Sequence, residues 1–205
     1  MISVDEALEH VLGHFEPLEA EEVEILDALD RVLAEDVYSD VGIPPFDSSA
    51  MDGYAVRAAD TVGASRETPV ELQVIGGVAA GHSTDLVVEP GTAVRIMTGA
   101  PLPAGADAVV PFEGIGKEVP AGGIQIFTEV AAGENVRAAE GDIRRGTLVL
   151  SKGAVLRPQE IGVLASLGRA RVRVIRRPRV GIVATGDELV AVDELLAPAK
   201  IRSSN

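Results

Sequence analysis

Asp47 and Asp52 flank a pair of serines, Ser48 and Ser49, in a segment whose prolines and glycines prevent one continuous helix. Two carboxylates and two hydroxyls at this spacing can bind a hard cation such as Mg²⁺ through oxygen. The same residue types also cap the backbone N–H groups of turns, which is their more frequent role. Chemistry alone therefore favours a turn and leaves the cation site as the alternative.

Three polar residues, Thr185, Asp187 and Glu188, directly follow the apolar run 180–184, which predicts a strand. Ligands in open α/β sheets bind at the carboxyl ends of strands. The two carboxylates are therefore candidates for holding a metal, or for orienting a substrate oxyanion through it. They fit the capped first turn of a helix equally well.

Other motifs carry weaker chemical signals. Thr98 and Arg95 end a predicted strand and can bind an oxyanion or a phosphate, although a tight turn also explains residues 98–101. His10 and His14 have a zinc-binding spacing, but no third ligand is in view, so a solvated helix face is favoured. The glycines of residues 76–81 lack the Gly-Lys-Ser/Thr ending of a phosphate loop, which favours a strand turn.

Three helices are predicted. Ser3 and Glu6 have the spacing of a capping box and open a helix that runs to about Phe15. Its apolar face consists of Val4, Leu8, Val11, Leu12 and Phe15. A short helix is predicted within residues 16–30. Another is predicted over 157–168, with Pro158 near its first position and Gly168 at its end.

Short β-rich runs alternate with Gly/Pro turns between residues 54 and 140, which predicts a compact β-domain with few helices. The strands predicted there are 70–75, 92–97, 108–112 and 124–130. Two more are predicted at 172–175 and 180–184, and the second of these should open an α/β unit. Only 16 residues follow Leu189. Either that strand pairs with the earlier domain, or the chain is the front part of a longer protein.

The net charge of −14 is distributed unevenly along the 205 residues. Residues 1–60 contain sixteen acidic residues against Arg31 and Arg57, whereas residues 141–180 contain ten basic residues against Asp142 and Glu160. We therefore predict that the two segments meet, within one molecule or across a dimer. The acidic total excludes a basic nucleic-acid footprint and disfavours anchoring on anionic lipid.

Several further classes of protein are excluded by composition. The absence of cysteine excludes disulfides, Cys-ligated zinc, iron–sulfur clusters and thiol catalysis. The acidic N-terminus lacks the pattern of a signal peptide, and no apolar stretch reaches the ~18 residues that a membrane-spanning helix needs. These features predict a cytoplasmic protein with no membrane partner.

Four segments together resemble one family. They are residues 44–56 (PPFDSSAMDGYAV), residues 95–110 (RIMTGAPLPAGADAVV), Asn135–Arg137 with Asp142 and Ile143, and residues 184–189 (ATGDEL). In this order they are similar to the successive signatures of the MoeA family of molybdopterin molybdenumtransferases, which is related to the C-terminal domain of gephyrin. The resemblance runs through almost the whole chain.

The resemblance implies an elongated, multidomain α/β fold. Residues 1–44 plus 141–177 would form a mixed α/β N-terminal domain, and residues 45–140 an inserted β-rich domain. Residues 178–205 would be the first strand and loop of a truncated molybdopterin-binding α/β domain. It also implies a homodimer whose active site lies between the third domain of one subunit and the second domain of the other.

The activity implied is insertion of molybdenum from molybdate into adenylylated molybdopterin, with Mg²⁺ as cofactor and release of AMP. The catalytic positions carried over from the family are Asp52, Thr98, Asp142 and Glu188. Asp52 and Glu188 are the expected metal ligands. Thr185, Arg137 and Asp187 are expected to bind the cofactor, and Asp187 is added to the positions carried over from the family. Molybdopterin adenylyltransferase is an expected partner. The fragment alone is expected to be inactive, since most of the third domain and all of the fourth are missing.

Three positions depart from the family pattern. Glu140-Gly141 replaces the usual Gly-Glu before Asp142, Asp30 occupies a place that is usually Gly, and Ser203 stands where Asp is common. The alternative function is a non-catalytic dimerisation or scaffold module of the gephyrin type, without the insertion chemistry.

Overall fold

The structure is a computed structural model that describes residues 2–119 and 122–204. Its α-helices are α1 (Val4–Leu12) and α2 (Pro158–Ser166). Its 3-10 helices are Ile25–Ala28, Ala58–Thr61 and Phe112–Gly114. Its first seven strands are β1 (Ala20–Glu24), β2 (Val37–Tyr38), β3 (Ser48–Ser49), β4 (Gly53–Val56), β5 (Val70–Val78), β6 (Thr92–Ile96) and β7 (Ala108–Pro111). The remaining strands are β8 (Ile115–Val119), β9 (Gly123–Ile126), β10 (Val136–Arg137), β11 (Leu148–Leu150), β12 (Arg171–Ile175), β13 (Leu189–Val190) and β14 (Ile201–Arg202).

The largest sheet has six strands in the order β7-β4-β6-β5-β9-β8. Its two edge strands are joined by the 3-10 turn Phe112–Gly114 alone. In a flat sheet, five inter-strand spacings would separate those edges by about 24 Å, beyond the reach of about 11 Å for three residues. The sheet therefore curls almost into a barrel.

Both faces of this curled sheet are packed. Tyr54 and Val56 of β4 belong to one buried cluster, and Ala55 between them belongs to another. Such alternation places successive side chains on opposite faces. The predicted β-rich character of residues 54–140 is confirmed, although the predicted strand 124–130 ends at Ile126.

A second core joins residues from both sides of the β-rich region. Leu33 packs in one buried cluster with Leu156, Leu164 and Val174. Strand β1 pairs antiparallel with β12, and β2 pairs with β11. The molecule is thus mixed α/β and rich in strands, while the domain ranges drawn from the sequence stay predictions.

The predicted meeting of acidic and basic segments is confirmed within one molecule. Ion pairs cross from β12 and its neighbours to the acidic N-terminal segment: Arg171 with Glu22 and Glu24, Arg173 with Glu35, Arg176 with Glu19, and Arg169 with Asp40. These pairs are solvent-exposed, and each such pair contributes only about 0.2–1 kcal/mol. Because the charges of β1 are all acidic and those of β12 are all basic, these pairs favour the association of the two strands.

The two longer helices begin where their sequence signals predict. Ser3 and Glu6 form both hydrogen bonds of a capping box at the start of α1. Helix α2 begins at Pro158, and Gly168 follows its C-cap with φ +73°. The prediction that the first helix runs to Phe15 was wrong by about three residues, because Gly13 caps it after Leu12.

The short helix predicted within residues 16–30 is only the single turn Ile25–Ala28. Residues Ala20–Glu24 form β1 instead. Although Ala and Glu favour helix, five residues are too few to offset the cost of starting one. Pairing with β12 supplies backbone hydrogen bonds and arginine partners together.

The strand predicted at 180–184 was also wrong, since these residues form no regular element. Val180, Ile182 and Val183 are 73–84% exposed. An apolar strand is stable only when neighbouring strands and a covering layer bury it, and no described residue provides them. Beyond it, β13 and β14 form a short parallel pair.

The apolar face of α1 is exposed. Its residues Val4, Leu8, Val11 and Leu12, together with Phe15 just beyond the helix, are 53–83% accessible to solvent. A helix with such a face usually buries it against another element. Within the part of the chain that the structure describes, no helix is long and apolar enough to span a bilayer.

Two of the residues that depart from the family pattern have a left-handed backbone conformation. Asp30 has φ +61° and Glu140 has φ +59°, in the left-handed region that glycine adopts without steric cost. Glycine is therefore the expected residue at both places. The Glu140 side chain also lies over Gly42, where an added Cβ would come within 2.3 Å of Glu140 Cγ.

Replacing Glu140 with glycine is expected to raise the free energy of unfolding by about 1 kcal/mol. Left-handed geometry costs an L side chain about 1–2 kcal/mol, partly offset by the greater unfolded-state entropy of glycine. Urea unfolding followed by circular dichroism measures the change. The control is Glu16→Gly, outside the left-handed region, which should give no gain. A gain of equal size in both variants, or a loss in Glu140→Gly, contradicts the interpretation.

Candidate functional site

The start of β4 and the end of β6 bring two candidate residues together. These strands run antiparallel, with Gly53 opposite Ile96, so Asp52 just before β4 lies beside Thr98 just after β6. Asp52 Oδ1 accepts hydrogen bonds from the Thr98 backbone N–H and from Thr98 Oγ1, both at 2.7 Å. Residues from the two longest motifs thus form one contact.

These bonds keep the Asp52 carboxyl ionised. The Thr98 backbone N–H, then its hydroxyl, lowers the pKa of Asp52 below its usual value, and the charge of Arg95 lowers it further. Both hydrogen bonds end on Oδ1, so the second carboxylate oxygen can bind a cation. The site is exposed, so substrate can reach it.

The close packing of β4 against β7 requires a glycine directly after Asp52. A Cβ on Gly53 would lie 2.0 Å from the carbonyl oxygen of Val110 on β7. On the other side of the contact, the Phe112 N–H donates to the Asp52 carbonyl oxygen at 3.2 Å. The backbone that carries Asp52 is therefore held between β6 and β7.

Arg95, on β6, lies near this contact. Its guanidinium is 5.4 Å from the centre of the Phe112 ring, a cation–π arrangement. Phe112 in turn meets Tyr54 edge to face at 5.7 Å. Sequence reasoning missed this aromatic support, because it depends on the β4–β6–β7 register.

Asp47 and Ser49 bond to backbone groups. Asp47 Oδ1 accepts from the Ala139 N–H at 2.7 Å, and the Ser49 hydroxyl bonds to both the N–H and the carbonyl oxygen of Met51. Ser48 and Ser49 are buried in β3. Ser49 thus makes the local turn contact of one of the two interpretations left open, whereas Asp47 bonds to the distant Ala139 and Asp52 to Thr98.

The third family segment, which contains Arg137 and Asp142, lies next to the first, residues 44–56. Arg137 on β10 pairs with Ser48 on β3. Asp142 donates its backbone N–H to the carbonyl oxygen of Ile43 at 2.9 Å. It lines a cavity of about 430 Å³, together with Glu140 and Arg144. Arg137 and Asp142 thus flank the segment that leads to Asp52.

The fourth family segment, residues 184–189, lies in the exposed part of the chain that contains the start of β13. Thr185, Asp187 and Glu188 are all exposed. The Glu188 carbonyl oxygen accepts from the Ile201 N–H at 2.8 Å, and the Asp187 carbonyl accepts from Lys200. None of these contacts uses a carboxylate, so the predicted roles of the three side chains stay predictions.

The donor set suits magnesium better than a metal held by protein alone. Among residues 2–119 and 122–204, no cluster of three or more His, Cys, Asp or Glu side chains is placed to hold a metal ion. Magnesium is commonly held by one or two carboxylates plus substrate phosphates and water. An ionised, exposed Asp52 fits that pattern, while joint ligation by Asp52 and Glu188 stays a prediction.

Replacing Thr98 with valine is expected to raise the pKa of Asp52, because one of the two hydrogen bonds that lower it is removed. A depressed carboxyl pKa stabilises the fold above the unfolded-state pKa, and this contribution is lost as pH falls through the folded-state value. The variant should therefore lose this stabilising contribution at a higher pH than the wild type. NMR titration of the side-chain carboxyl carbon measures the shift, with Asp47 as internal control. An unchanged Asp52 titration contradicts the assignment.

Comparison with known proteins decides the family. Residues 2–168 match the MoeA N-terminal region (domain I and II). The chain belongs to the MoeA family. The match includes Asp52, Thr98, Arg137 and Asp142.

Relatives in this family cover the whole chain. It is 43% identical over 210 residues to the molybdopterin molybdenumtransferase of Bacillus subtilis (strain 168), and it spans 48% of that protein. It is 40% identical over 204 residues to that of Staphylococcus aureus (strain Mu50 / ATCC 700699), again 48% of its length. The chain thus spans about half the length of the curated relatives it matches.

A solved structure has the same fold. The molybdopterin biosynthesis MoeA protein of Pyrococcus horikoshii OT3 superposes with a TM-score of 0.87 at 40% identity, over 93% of this chain and 50% of that one. The matched relatives are thus named for molybdopterin biosynthesis or for molybdenum transfer to molybdopterin.

Proposed function

We propose that the full-length protein inserts molybdenum from molybdate into adenylylated molybdopterin and releases AMP. The observation that carries the proposal is the Asp52–Thr98 contact, which joins the two longest family motifs at an exposed, ionised carboxylate. Relatives named molybdopterin molybdenumtransferase support the class of reaction. The compartment proposed is the cytoplasm.

In this proposal Asp52 holds Mg²⁺ through its second carboxylate oxygen. When bound, the cation neutralises charge on phosphate and molybdate oxygens. Thr98 orients the carboxylate with two donors, and Arg95 adds positive charge beside it. The positioning is set before substrate arrives, because the donors belong to the backbone and to a side chain at a strand end.

The remaining family positions complete the proposal. Asp142 and Glu188 are assigned to catalysis, with Glu188 as a second metal ligand. Arg137, Thr185 and Asp187 are assigned to the pterin substrate, which molybdopterin adenylyltransferase would supply. The cavity beside Asp142 and the exposure of residues 185–188 leave these side chains accessible.

The test is molybdate-dependent AMP release by the full-length gene product given adenylylated molybdopterin and Mg²⁺. We expect release with molybdate, and none without it. The 205-residue chain by itself is expected to be inactive. AMP formation that is independent of molybdate, or no formation at all, contradicts the proposal. Complete inactivity of the correctly folded full-length protein would favour the scaffold alternative.

A homodimer is also proposed, with the exposed apolar face of α1 as part of its interface. Leu8→Glu is expected to weaken dimerisation by at least about a hundredfold, since each of the two copies loses a buried leucine worth about 1.5–3 kcal/mol. Light scattering after size-exclusion chromatography measures the mass. The control is Glu9→Gln, off the apolar face, which should leave the dimer intact. A wild-type monomer, or a Leu8→Glu dimer of unchanged stability, contradicts the proposal.

A further inference from the structure

A second cavity opens on the face of the six-stranded sheet that carries Tyr54. Its volume is about 670 Å³. The lining consists of glycines, three aliphatic side chains, a tyrosine and an arginine: Gly76, Gly77, Gly122, Gly123, Val74, Ile75, Ile124, Tyr54 and Arg95.

The cavity arises where β9 stops and β5 continues. Strand β9 pairs with β5 only over Val70–Gln73, whereas β5 runs on to Val78 paired with β6. The last backbone bond on the β9 side runs from the Val74 N–H to the Gly122 carbonyl oxygen at 3.0 Å. A bulge at Ile75 then shifts the β5–β6 register. Beyond Val74, that edge of β5 faces the cavity without a described neighbouring strand.

Glycine makes this edge approachable. A glycine inside a strand often marks a place where a ligand comes close to the backbone. Gly77 lies directly opposite Arg95 in the register, so the two share one face of the sheet. A Cβ on Gly77 would meet only ordinary contacts, the nearest being the Arg95 carbonyl oxygen at 3.4 Å. Neither sterics nor a positive φ therefore requires glycine at this position.

Among the described residues of the lining, Arg95 has the only charged side chain. It is exposed, and within the described residues no carboxylate lies within ion-pair distance of it. Asp52 lies near it, but Thr98 already supplies the hydrogen bonds of that carboxylate. The Phe112 ring holds the guanidinium in place, which lowers the entropy that binding would cost.

We propose that this cavity binds a small organic carboxylate with an apolar body. A single guanidinium matches one carboxylate in a bidentate pair, whereas a doubly charged phosphate would call for more positive charge. Val74, Ile75 and Ile124 supply the apolar wall, and Tyr54, opposite Arg95 in the β4–β6 register, also lines the cavity. The site goes beyond the proposed function, because binding there requires neither molybdate nor adenylylated molybdopterin.

The test is amide NMR of the 205-residue chain titrated with benzoate, with benzamide as the neutral analogue. Benzoate should shift the amide signals of Ile75, Gly76 and Gly77 saturably, and benzamide should bind at least about tenfold more weakly. Arg95→Gln should weaken benzoate about tenfold. The matched control is Arg66→Gln, which removes an arginine that also stacks on a phenylalanine, Phe127, at 5.7 Å but lies outside the cavity. It should leave binding unchanged.

A second variant tests the cavity without changing Arg95. Gly77→Ala adds one methyl group on the face shared with Arg95, and should weaken benzoate without altering the charge. The proposal is overturned if benzoate and benzamide bind alike, if Arg95→Gln and Arg66→Gln behave alike, or if the shifts map to α1. Tighter binding of a neutral extended peptide to the β5 edge would overturn it in favour of strand addition.

Discussion

Asp52→Asn is expected to slow molybdate-dependent AMP release by the full-length protein by about a hundredfold or more. Asparagine keeps the size of the side chain and an oxygen that can accept from Thr98, so the local geometry is preserved. It removes the negative charge that is proposed to hold Mg²⁺. Loss of one preorganised electrostatic group at a reacting centre typically costs about 10²–10³ in rate. Steady-state AMP release at saturating molybdate measures the effect.

The chain offers a matched control for that substitution. Asp47 lies five residues earlier in the same motif, and its carboxylate caps the Ala139 N–H. Asp47→Asn makes the same chemical change on a carboxylate with a structural role, and should slow the reaction only a few-fold. If both variants lose activity equally, or if Asp52→Asn stays within about threefold of the wild type, Asp52 does not hold the metal.

Gly53→Ala is expected to lower the free energy of unfolding by about 3 kcal/mol or more. The new Cβ would lie 2.0 Å from a backbone oxygen of β7 and 2.9 Å from the Pro111 Cα, so strands β4 and β7 would have to separate. Backbone atoms cannot move aside as the end of a flexible side chain can. Such forced strain belongs to the most damaging class of point mutations.

Chemical denaturation of the 205-residue chain tests this expectation. The control is Gly162→Ala in α2, where an added Cβ meets nothing within 4 Å. Alanine there should raise the free energy of unfolding by up to about 1 kcal/mol, since it favours helix. A loss below about 0.5 kcal/mol in Gly53→Ala would show that β4 and β7 are not packed as described.

Local signals predicted the elements that depend on local contacts. The Ser3–Glu6 capping box and the Pro158 start of α2 involve residues within one helical turn, and both are present. In these places the physical cause lies within a few residues of the signal.

Elements that depend on distant residues were predicted less well. Strand β1 forms because β12, about 150 residues later, supplies its backbone partners. Residues 180–184 have the composition of a strand, but no described residue pairs with them. The composition of a segment indicates that it can pair, and the rest of the fold decides whether it does.

The candidate site shows the same division. The family resemblance identified Asp52 and Thr98 as two separate functional positions. The sequence chemistry indicated that Thr98 can bind an anionic oxygen. The structure shows that the oxygen belongs to Asp52. Only the β4–β6 register places the two residues together, and no local pattern encodes that register. Asp30 and Glu140 are the converse case, since their positive φ explains why glycine is usual at each place.

The most direct measurement of the central claim is a single-turnover reaction of the full-length protein with adenylylated molybdopterin, Mg²⁺ and molybdate. Molybdenum bound to the pterin product and AMP are quantified together. The account predicts that both appear in equal amounts in the wild type. Both should form about a hundredfold more slowly in Asp52→Asn, and at most a few-fold more slowly in Asp47→Asn. Equal product formation by wild type and Asp52→Asn, or AMP release without molybdenum in the product, would contradict it.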